Sequence, residues 1–448
     1  MTDASTEVSE DAVEPAPLAP LLELRDGLPD VVTTAEQLRR TADDLAQGTG
    51  PIAVDAERAS GYRYSARAYL IQLRREGSST SLVDPIAFDD LSPLAEVLNG
   101  AEWILHAASQ DLPCLLELDL HPRALFDTEL AGRLLGYPRV GLATLVEAVL
   151  GRRLRKEHSA VDWSTRPLPE PWLEYAALDV EALVELRTAL HQQLLDTGKL
   201  EWALQEFAHL QAHVPAEPRA EPWRRTSGLH RVRGRRALGA VRELWHARDD
   251  LARQRDVTPG RIIPDSAIVE AASAHPRDRG ALLALRGFHG RGAQRYASVW
   301  TDALLRARQL PDSELPQAAA RFDGPPPPRA WAEKDPAAAA RLARARTGLG
   351  ERATELNLPV ENLLTPDFVR RVMWQPPEGE PDGDLVPAVG AMLASLGARA
   401  WQIELTAAIL ADAITSPEPP PETPKAPEAP EAPEAREAPE APEAPEES

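Results

Sequence analysis

IAVDAERA, residues 52–59, is the stretch on which the reading of this chain turns. Ile52 and Val54 with the small alanines between the charges make a β-type run, and in a strand successive side chains point to opposite faces. Asp55 and Glu57, two positions apart, therefore share a face. Two same-side carboxylates beside Ile52 and Val54 are costly unless something cationic neutralises them, and a divalent metal would do so. An isolated Asp-x-Glu is more often a polar strand end facing water, so the pair needs company before it means anything.

Working outward, AYLIQLR (68–74) and SSTSLVDP (78–85) follow at hairpin spacing, EWILHAA (102–108) reads as a buried strand and ALFD (124–127) as a shorter one. Helical patterns cover LSPLAEVLNG (91–100), DLPCLLEL (111–118), TELAGRLLG (128–136) and a long run from Pro171 to about His213. Hairpin strands followed by strands alternating with helices predict an α/β unit with a mixed five-stranded sheet and flanking helices.

Three further residues join the pair. Asp111 comes just after the apolar strand, where a helix begins; alone it reads as a helix N-cap. Tyr175 and Asp179 in PWLEYAALDVEALVELR are four apart, one helical turn, on one face. Leu173, Ala177, Val180, Leu183 and Leu186 give that helix an ordinary apolar stripe, so Tyr175 and Asp179 also have a bland explanation. His106 reads as a packed histidine, and Asp127-Thr128 as a helix start. The order of the five is what changes the odds: Asp-x-Glu on the first strand, Asp opening a helix, then Tyr-x-x-x-Asp on a late helix.

Beyond the α/β unit, VTPGRIIPDSAIVEAA (257–272) lies over LPVENLLTPDFVRRVM (358–373) at a constant offset of 101. Each follows a long Ala/Arg/Leu-rich helical stretch, so two tandem all-helical units are expected. Pro-rich interruptions at 214–222 and 311–329 separate the units. The divisions are 1–20, an acidic tail; 21–213, the α/β unit; 214–234, a basic linker; 235–308, the first helical unit; 309–335, a Pro-rich linker; 336–415, the second; and 416–448, a Pro/Glu/Ala tail. Low hydrophobicity and dense like charge predict disorder in both acidic tails.

The formal net charge is −21, of which the first 20 residues carry −5 and residues 416–448 carry −8. The balance elsewhere does not exclude a nucleic-acid partner, because local arginine clusters do the phosphate binding. The single cysteine, Cys114, excludes a disulfide framework and a cysteine zinc site. No apolar run approaches the ~20 residues of a membrane span, and no signal pattern opens the chain, so a cytoplasmic protein, monomeric by default, is expected. No phosphate-loop motif occurs, which argues against a helicase.

The ordered acids and their surrounding blocks, ILHAASQDL (104–112), FDTELAGRLLG (126–136), KEHSAVDWSTRPLP (156–169) and LEYAALDVEAL (173–183), resemble the ribonuclease D family, 3′→5′ exonucleases of the tyrosine-bearing DEDD (DEDDy) branch. The two helical units are similar to HRDC domains. The resemblance implies a ribonuclease H-like fold. It implies that Asp55, Glu57, Asp111 and Asp179 hold two divalent cations, Mg²⁺ or Mn²⁺, and that Tyr175 positions the attacking water. It further implies hydrolysis of RNA from its 3′ end to nucleoside 5′-monophosphates, as in tRNA 3′-end processing. Single-stranded DNA as substrate, and a catalytically idle nucleic-acid-binding protein, are the alternatives. Arg58 departs from the family pattern, which has an apolar residue beside the 3′-terminal base.

Arginine clusters supply candidate phosphate contacts. They are Arg152, Arg153, Arg155 and Lys156 in RRLRK, Arg166 beyond it, and Arg286, Arg291 and Arg295 in LRGFHGRGAQR. PWRRTSGLHRVRGRR (222–236) holds six arginines and no acid, and reads either as a backbone contact or as a basic linker.

Overall fold

The computed structural model describes residues 18–155, 160–212, 220–318, 324–378 and 384–416. The α/β unit runs β1 (Val31–Val32), α1 (Ala35–Gln47), β2 (Thr49–Arg58), β3 (Ala68–Glu76), β4 (Ser81–Val83), α2 (Ser92–Leu98), β5 (Glu102–Leu105), α3 (Leu112–Leu116), β6 (Ala124–Asp127), α4 (Thr128–Leu134) and α5 (Leu142–Leu145), then α6 (Glu170–Glu181), α7 (Leu183–Asp196) and α8 (Leu200–Gln211). The strand order is β1-β4-β3-β2-β5-β6. Strand β3 is antiparallel to both its neighbours, and the remaining pairs are parallel. The mixed sheet thus has one strand more than expected. The extra one, β1, is two residues long, too short to leave a period-2 signature in sequence.

Strand β2 carries alternation at its end and apolar burial at its middle: Ile52, Ala53 and Val54 are fully buried. In β3 the run Leu70, Ile71, Gln72 and Leu73 is buried on both faces, as expected of a central strand under helices. The long helical run after Pro171 is three helices. It breaks at Ala182 and again at Thr197–Lys199, where Gly198 takes φ +70°, a backbone state that glycine adopts without strain. Pro171 sits in the first turn of α6, where a missing N–H costs nothing.

Because β2 and β5 are parallel, their C-terminal ends open on the same edge of the sheet, the usual place for a crevice in α/β sheets. The chain leaves β2 at Arg58 and passes from β5 to Asp111 at this edge, while α6 packs over β2 and β3.

The helical units are α9 (Arg235–Arg255), α10 (Pro259–Ile262), α11 (Asp265–Ala274), α12 (Arg279–Leu283), α13 (Arg291–Arg295) and α14 (Ala297–Gln309), then α15 (Trp331–Lys334), α16 (Pro336–Glu355), α17 (Val360–Leu363), α18 (Pro366–Trp374), α19 (Val386–Ser395) and α20 (Ala400–Thr415). The offset of 101 read from sequence carries the start and end of α10 onto those of α17, and the start of α11 onto that of α18. It also matches two left-handed helix-end residues, Asp256 at φ 46° and Asn357 at φ 48°.

The two units are attached differently. The first has its own core around Leu244, Ile268 and Trp300 and meets the α/β unit through polar contacts. Asp256 Oδ1 accepts the N–H groups of Tyr64 (3.2 Å) and Ser65 (3.0 Å). The second shares one continuous core with the α/β unit. Trp401 stacks on Trp202 with centroids 5.1 Å apart and donates its indole N–H to Glu206 Oε1 at 2.9 Å. Asn357 donates to the Leu135 carbonyl at 3.3 Å beside Gly136, where a Cβ would lie 2.4 Å from the Asn357 carbonyl oxygen.

Both linkers prove partly structured by arginine. Arg235 reaches the carbonyls of Asp312 (2.9 Å) and Leu315 (2.8 Å), Arg236 pairs with Asp312 (2.8 Å), and Arg224 bonds Glu221 (2.6 Å) and the Gln317 carbonyl (3.1 Å). With Arg233, which donates to the His230 carbonyl at 2.9 Å, at least four of the six arginines in 222–236 are therefore committed within the protein. Residues 1–17 and 417–448, nearly all of the two expected disordered tails, lie outside the described residues. Ala19 and Pro20, counted with the N-terminal tail from sequence, instead hold Arg153 through their carbonyls at 2.6 and 2.8 Å.

Candidate active site

At the crevice edge, one carboxylate oxygen each from Asp55, Glu57 and Asp179 lies within 4.8 Å of the others. The strand period aligns the first two, and α6 lowers Asp179 onto them. Tyr175, one turn earlier on α6, hydrogen-bonds Asp179 through its hydroxyl. Asp111 occupies the N-cap position of α3 yet its side chain caps nothing there. It turns to Arg58, whose Nη2 is 3.2 Å from Asp111 Oδ1. The bland helix-cap reading of Asp111 therefore does not describe this side chain, while Asp127 does cap α4 through the Leu130 N–H at 3.0 Å.

Crowding four acids costs charge. Burial pushes Asp55 up to about 6. Burial first, then the charges of Asp55, Asp179 and Asp111, push Glu57 up to about 10. Burial and the Asp55 charge push Asp111 up to about 8, and the same two causes hold Asp179 well above the carboxylate range. Tyr175 is raised by burial and by the Asp179 and Glu57 charges. A site that holds its carboxyls protonated for want of positive charge fits a cation. All-oxygen donors suit a hard divalent ion such as Mg²⁺ or Mn²⁺.

His106 is half-buried, with Nδ1 2.9 Å from the Thr128 hydroxyl and its pKa lowered to about 4 by desolvation, so it stays neutral. Cys114 is buried and pushed up to about 12, a packed thiol. Neither belongs to the acid cluster.

The basic residues expected to grip phosphate divide into two groups. Arg152 pairs with Glu185 (3.5 Å), Arg153 holds the N-terminal segment, and Arg155 pairs with Glu174 (2.9 Å). Arg166 is locked onto Asp84 at 2.7 and 2.8 Å and onto the Tyr69 and Trp163 carbonyls at 2.8 Å. Its fork of donors is consumed by the fold, so Arg166 braces the loop before α6 and is withdrawn from solvent phosphate. Lys156 lies outside the described residues. Arg286, Arg291 and Arg295 are exposed on the first helical unit and form no ion pair among the described residues.

Two residues escaped the sequence reading. Arg58 was noted only as a departure, and nothing in sequence marks Asp111 as its partner. Gln72 pairs in register with Asp55 across β2 and β3, is fully buried, and has both amide atoms without a hydrogen-bond partner among the described residues. A polar residue inside the apolar run AYLIQLR was its only signal.

The mixed sheet with an acid cluster at its crevice edge fits a metal-dependent nuclease of ribonuclease H-like fold, and similarity to known exonucleases supplies its 3′→5′ polarity. The chain matches a 3′-5′ exonuclease family model over residues 29–195, an HRDC domain model over 237–304 and a 3′ to 5′ exonuclease C-terminal domain model over 324–414. It is 33% identical to a ribonuclease D of Gluconacetobacter diazotrophicus over 310 residues, covering 67% of this chain and 78% of that one. A crystal structure of a protein from Bifidobacterium adolescentis superposes with TM-score 0.81 at 37% identity, covering 89% and 100% of the two chains. Escherichia coli RNase D, described as an exoribonuclease involved in structured RNA processing, superposes with TM-score 0.63 at 25% identity, covering 86% and 98%. The chain belongs to the ribonuclease D family. Nucleic acid is its substrate class, and among the described residues no helix is long and apolar enough to cross a membrane.

Proposed function

We propose that the chain removes nucleotides from RNA 3′ ends and releases nucleoside 5′-monophosphates, with Asp55, Glu57, Asp111 and Asp179 holding two Mg²⁺ or Mn²⁺ ions. The observation that carries this reading is the convergence of three carboxylates within 4.8 Å, with the Tyr175 hydroxyl bonded to the third. When bound, such ions generate a nucleophile from water and stabilise the departing 3′-oxygen. The chain's own residues do the rest. The four acids fix where positive charge sits, and Tyr175 orients water from its place on Asp179. With its pKa raised, Tyr175 serves as a positioning donor and not as a base. RNA as substrate is supported by the ribonuclease D relatives. Trimming of RNA 3′ ends, tRNA precursors included, in the cytoplasm is the cellular role that goes with it. Residues 21–213 would form the catalytic domain, with 235–308 and 336–415 as the two HRDC-like units and exposed Arg286, Arg291 and Arg295 offered to the incoming strand.

The test compares matched 3′-labelled RNA and DNA oligonucleotides with Mg²⁺, Mn²⁺ or EDTA. Mononucleotide release from RNA that stops with EDTA is expected, and Asp55→Ala or Asp179→Ala should abolish it while the protein stays folded. Tyr175→Phe should lower turnover and leave metal binding intact. Near-wild-type activity of Asp55→Ala with metal supplied would overturn the assignment.

A further inference from the structure

Asp111 is the one expected metal acid that stands outside the convergent trio, and Arg58 Nη2 lies 3.2 Å from its Oδ1. The register slips between Glu57 and Arg58, where Arg58 pairs with Ala68 and skips Tyr69. That irregularity lets the last residue of β2 swing its side chain to the same edge as the acids. The guanidinium is about a quarter exposed, at the rim of the crevice, and its Nε is buried with no hydrogen-bond partner among the described residues. A guanidinium has five donors in a planar fork suited to carboxylate or phosphate, and a buried N–H without an acceptor is costly. Arg58 therefore reaches Asp111 with part of its fork and leaves another donor unmatched. It is also the cation whose field acts on Asp55, Glu57 and Asp111 alike.

We propose that Arg58 is a mobile cation of the reaction: it pairs with Asp111, and would turn its fork to the scissile phosphodiester once a divalent ion took Asp111. The inference rests on the metal-ligand reading of the acids. The arginine occupies the Asp111 oxygen that a divalent ion would need, so metal and arginine compete for one side chain. A phosphate drawn to a cation on the acids would lie beside the displaced guanidinium, and an anionic oxygen there would satisfy both Nε and the freed Nη2. An arginine so placed contacts the substrate, in a position where an apolar residue could only pack against a base.

The test uses the full chain and Mn²⁺ as the probe. Mn²⁺ binding is followed by electron paramagnetic resonance in wild type, Arg58→Gln and Arg58→Lys, and single-turnover cleavage of a 3′-labelled RNA is measured at saturating Mn²⁺. Arg58→Gln should bind Mn²⁺ about tenfold more tightly, because its competitor is gone, and yet cleave at least tenfold more slowly. Arg58→Lys should recover part of the cleavage and return Mn²⁺ affinity toward wild type. Mn²⁺ affinity of Arg58→Gln within twofold of wild type overturns the proposal, as does undiminished cleavage. Wild type that binds no Mn²⁺ at all overturns instead the metal-site reading beneath it. Unfolding curves of each variant separate these results from loss of fold.

Discussion

Metal uptake at the acid cluster should expel protons, and the structure sets how many. Glu57, pushed up to about 10, and Asp111, pushed up to about 8, are both largely protonated at pH 7. Asp179 is raised as well and adds to the total. Carboxylates must be ionised to bind a metal, so loading at pH 7 should release about two protons or more. At pH 9 Asp111 is already ionised and the release should fall by about one. Titrating Mn²⁺ into EDTA-treated protein by calorimetry, in two buffers of different ionisation enthalpy at each pH, gives the count from the slope against buffer enthalpy. Release of less than half a proton at pH 7, or the same count at pH 7 and 9, would refute the reasoning.

The same protons couple folding to pH, with a definite sign. The folded pKa values of Asp55, Glu57 and Asp111 lie above those of free carboxyls, so the folded state binds more protons than the unfolded chain. Their contribution is intact below the unfolded carboxyl range, near pH 4, and is lost as pH rises through about 6, 8 and 10. The slope is about 1.4 kcal/mol per pH unit for each retained proton. In EDTA, Tm should fall between pH 5 and 9, and saturating Mn²⁺ should flatten that fall. A metal-free protein that gains stability from pH 5 to 9 would contradict the buried cluster.

Three other changes probe the scaffold. Trp401→Ala removes a buried indole, its stack on Trp202 and its bond to Glu206; the cost should be about 3–5 kcal/mol in urea unfolding of the full chain, and a loss under about 1 kcal/mol would show the second helical unit undocked in solution. Gln72→Leu replaces two unpartnered buried amide atoms by an apolar side chain, so stability should hold or rise by about 1 kcal/mol; a loss above about 2 kcal/mol would reveal a bonded amide. Asp256→Ala strips the acceptor from the Tyr64 and Ser65 N–H groups and should speed hydrogen exchange in residues 60–67 while leaving Mn²⁺ affinity unchanged; unaltered exchange there would mean the first helical unit is held by something else.

Much of this was legible in residue order. The Asp55 and Glu57 pair, the four-residue step from Tyr175 to Asp179 and the 101-residue repeat are local patterns, and local patterns survive translation into strands and helices. What was not legible is non-local. That Arg166 closes on Asp84 depends on bringing together residues 82 positions apart, so its cluster reading as a phosphate grip could not be weighed against an internal partner. Arg235 and Arg236 are the same case, since their acceptors are carbonyls of a linker that composition alone marks only as Pro-rich. The two-residue β1 and the breaks at Ala182 and Gly198 fail for a different reason: they are shorter than the period that would announce them.

The repeat itself has a use that sequence could not assign. Asp256 and Asn357 occupy one position of it, and both end a long helix in the left-handed state, which swings the residue's polar groups off the helix axis. In both units that residue meets the α/β domain, but the two chemistries are not interchangeable. Asp256 faces free backbone N–H groups at Tyr64 and Ser65, which need an acceptor, and a carboxylate is acceptor alone. Asn357 faces the Leu135 carbonyl, which needs a donor, and its own carbonyl receives the Lys199 ammonium at 3.2 Å. An aspartate there would set a carboxylate against a carbonyl oxygen. The first contact falls on the connection that begins just past Arg58, the second at the end of α4. One motif thus anchors two helical units to opposite needs, and among the described residues it is the first contact that falls on the segment leading out of the acid cluster.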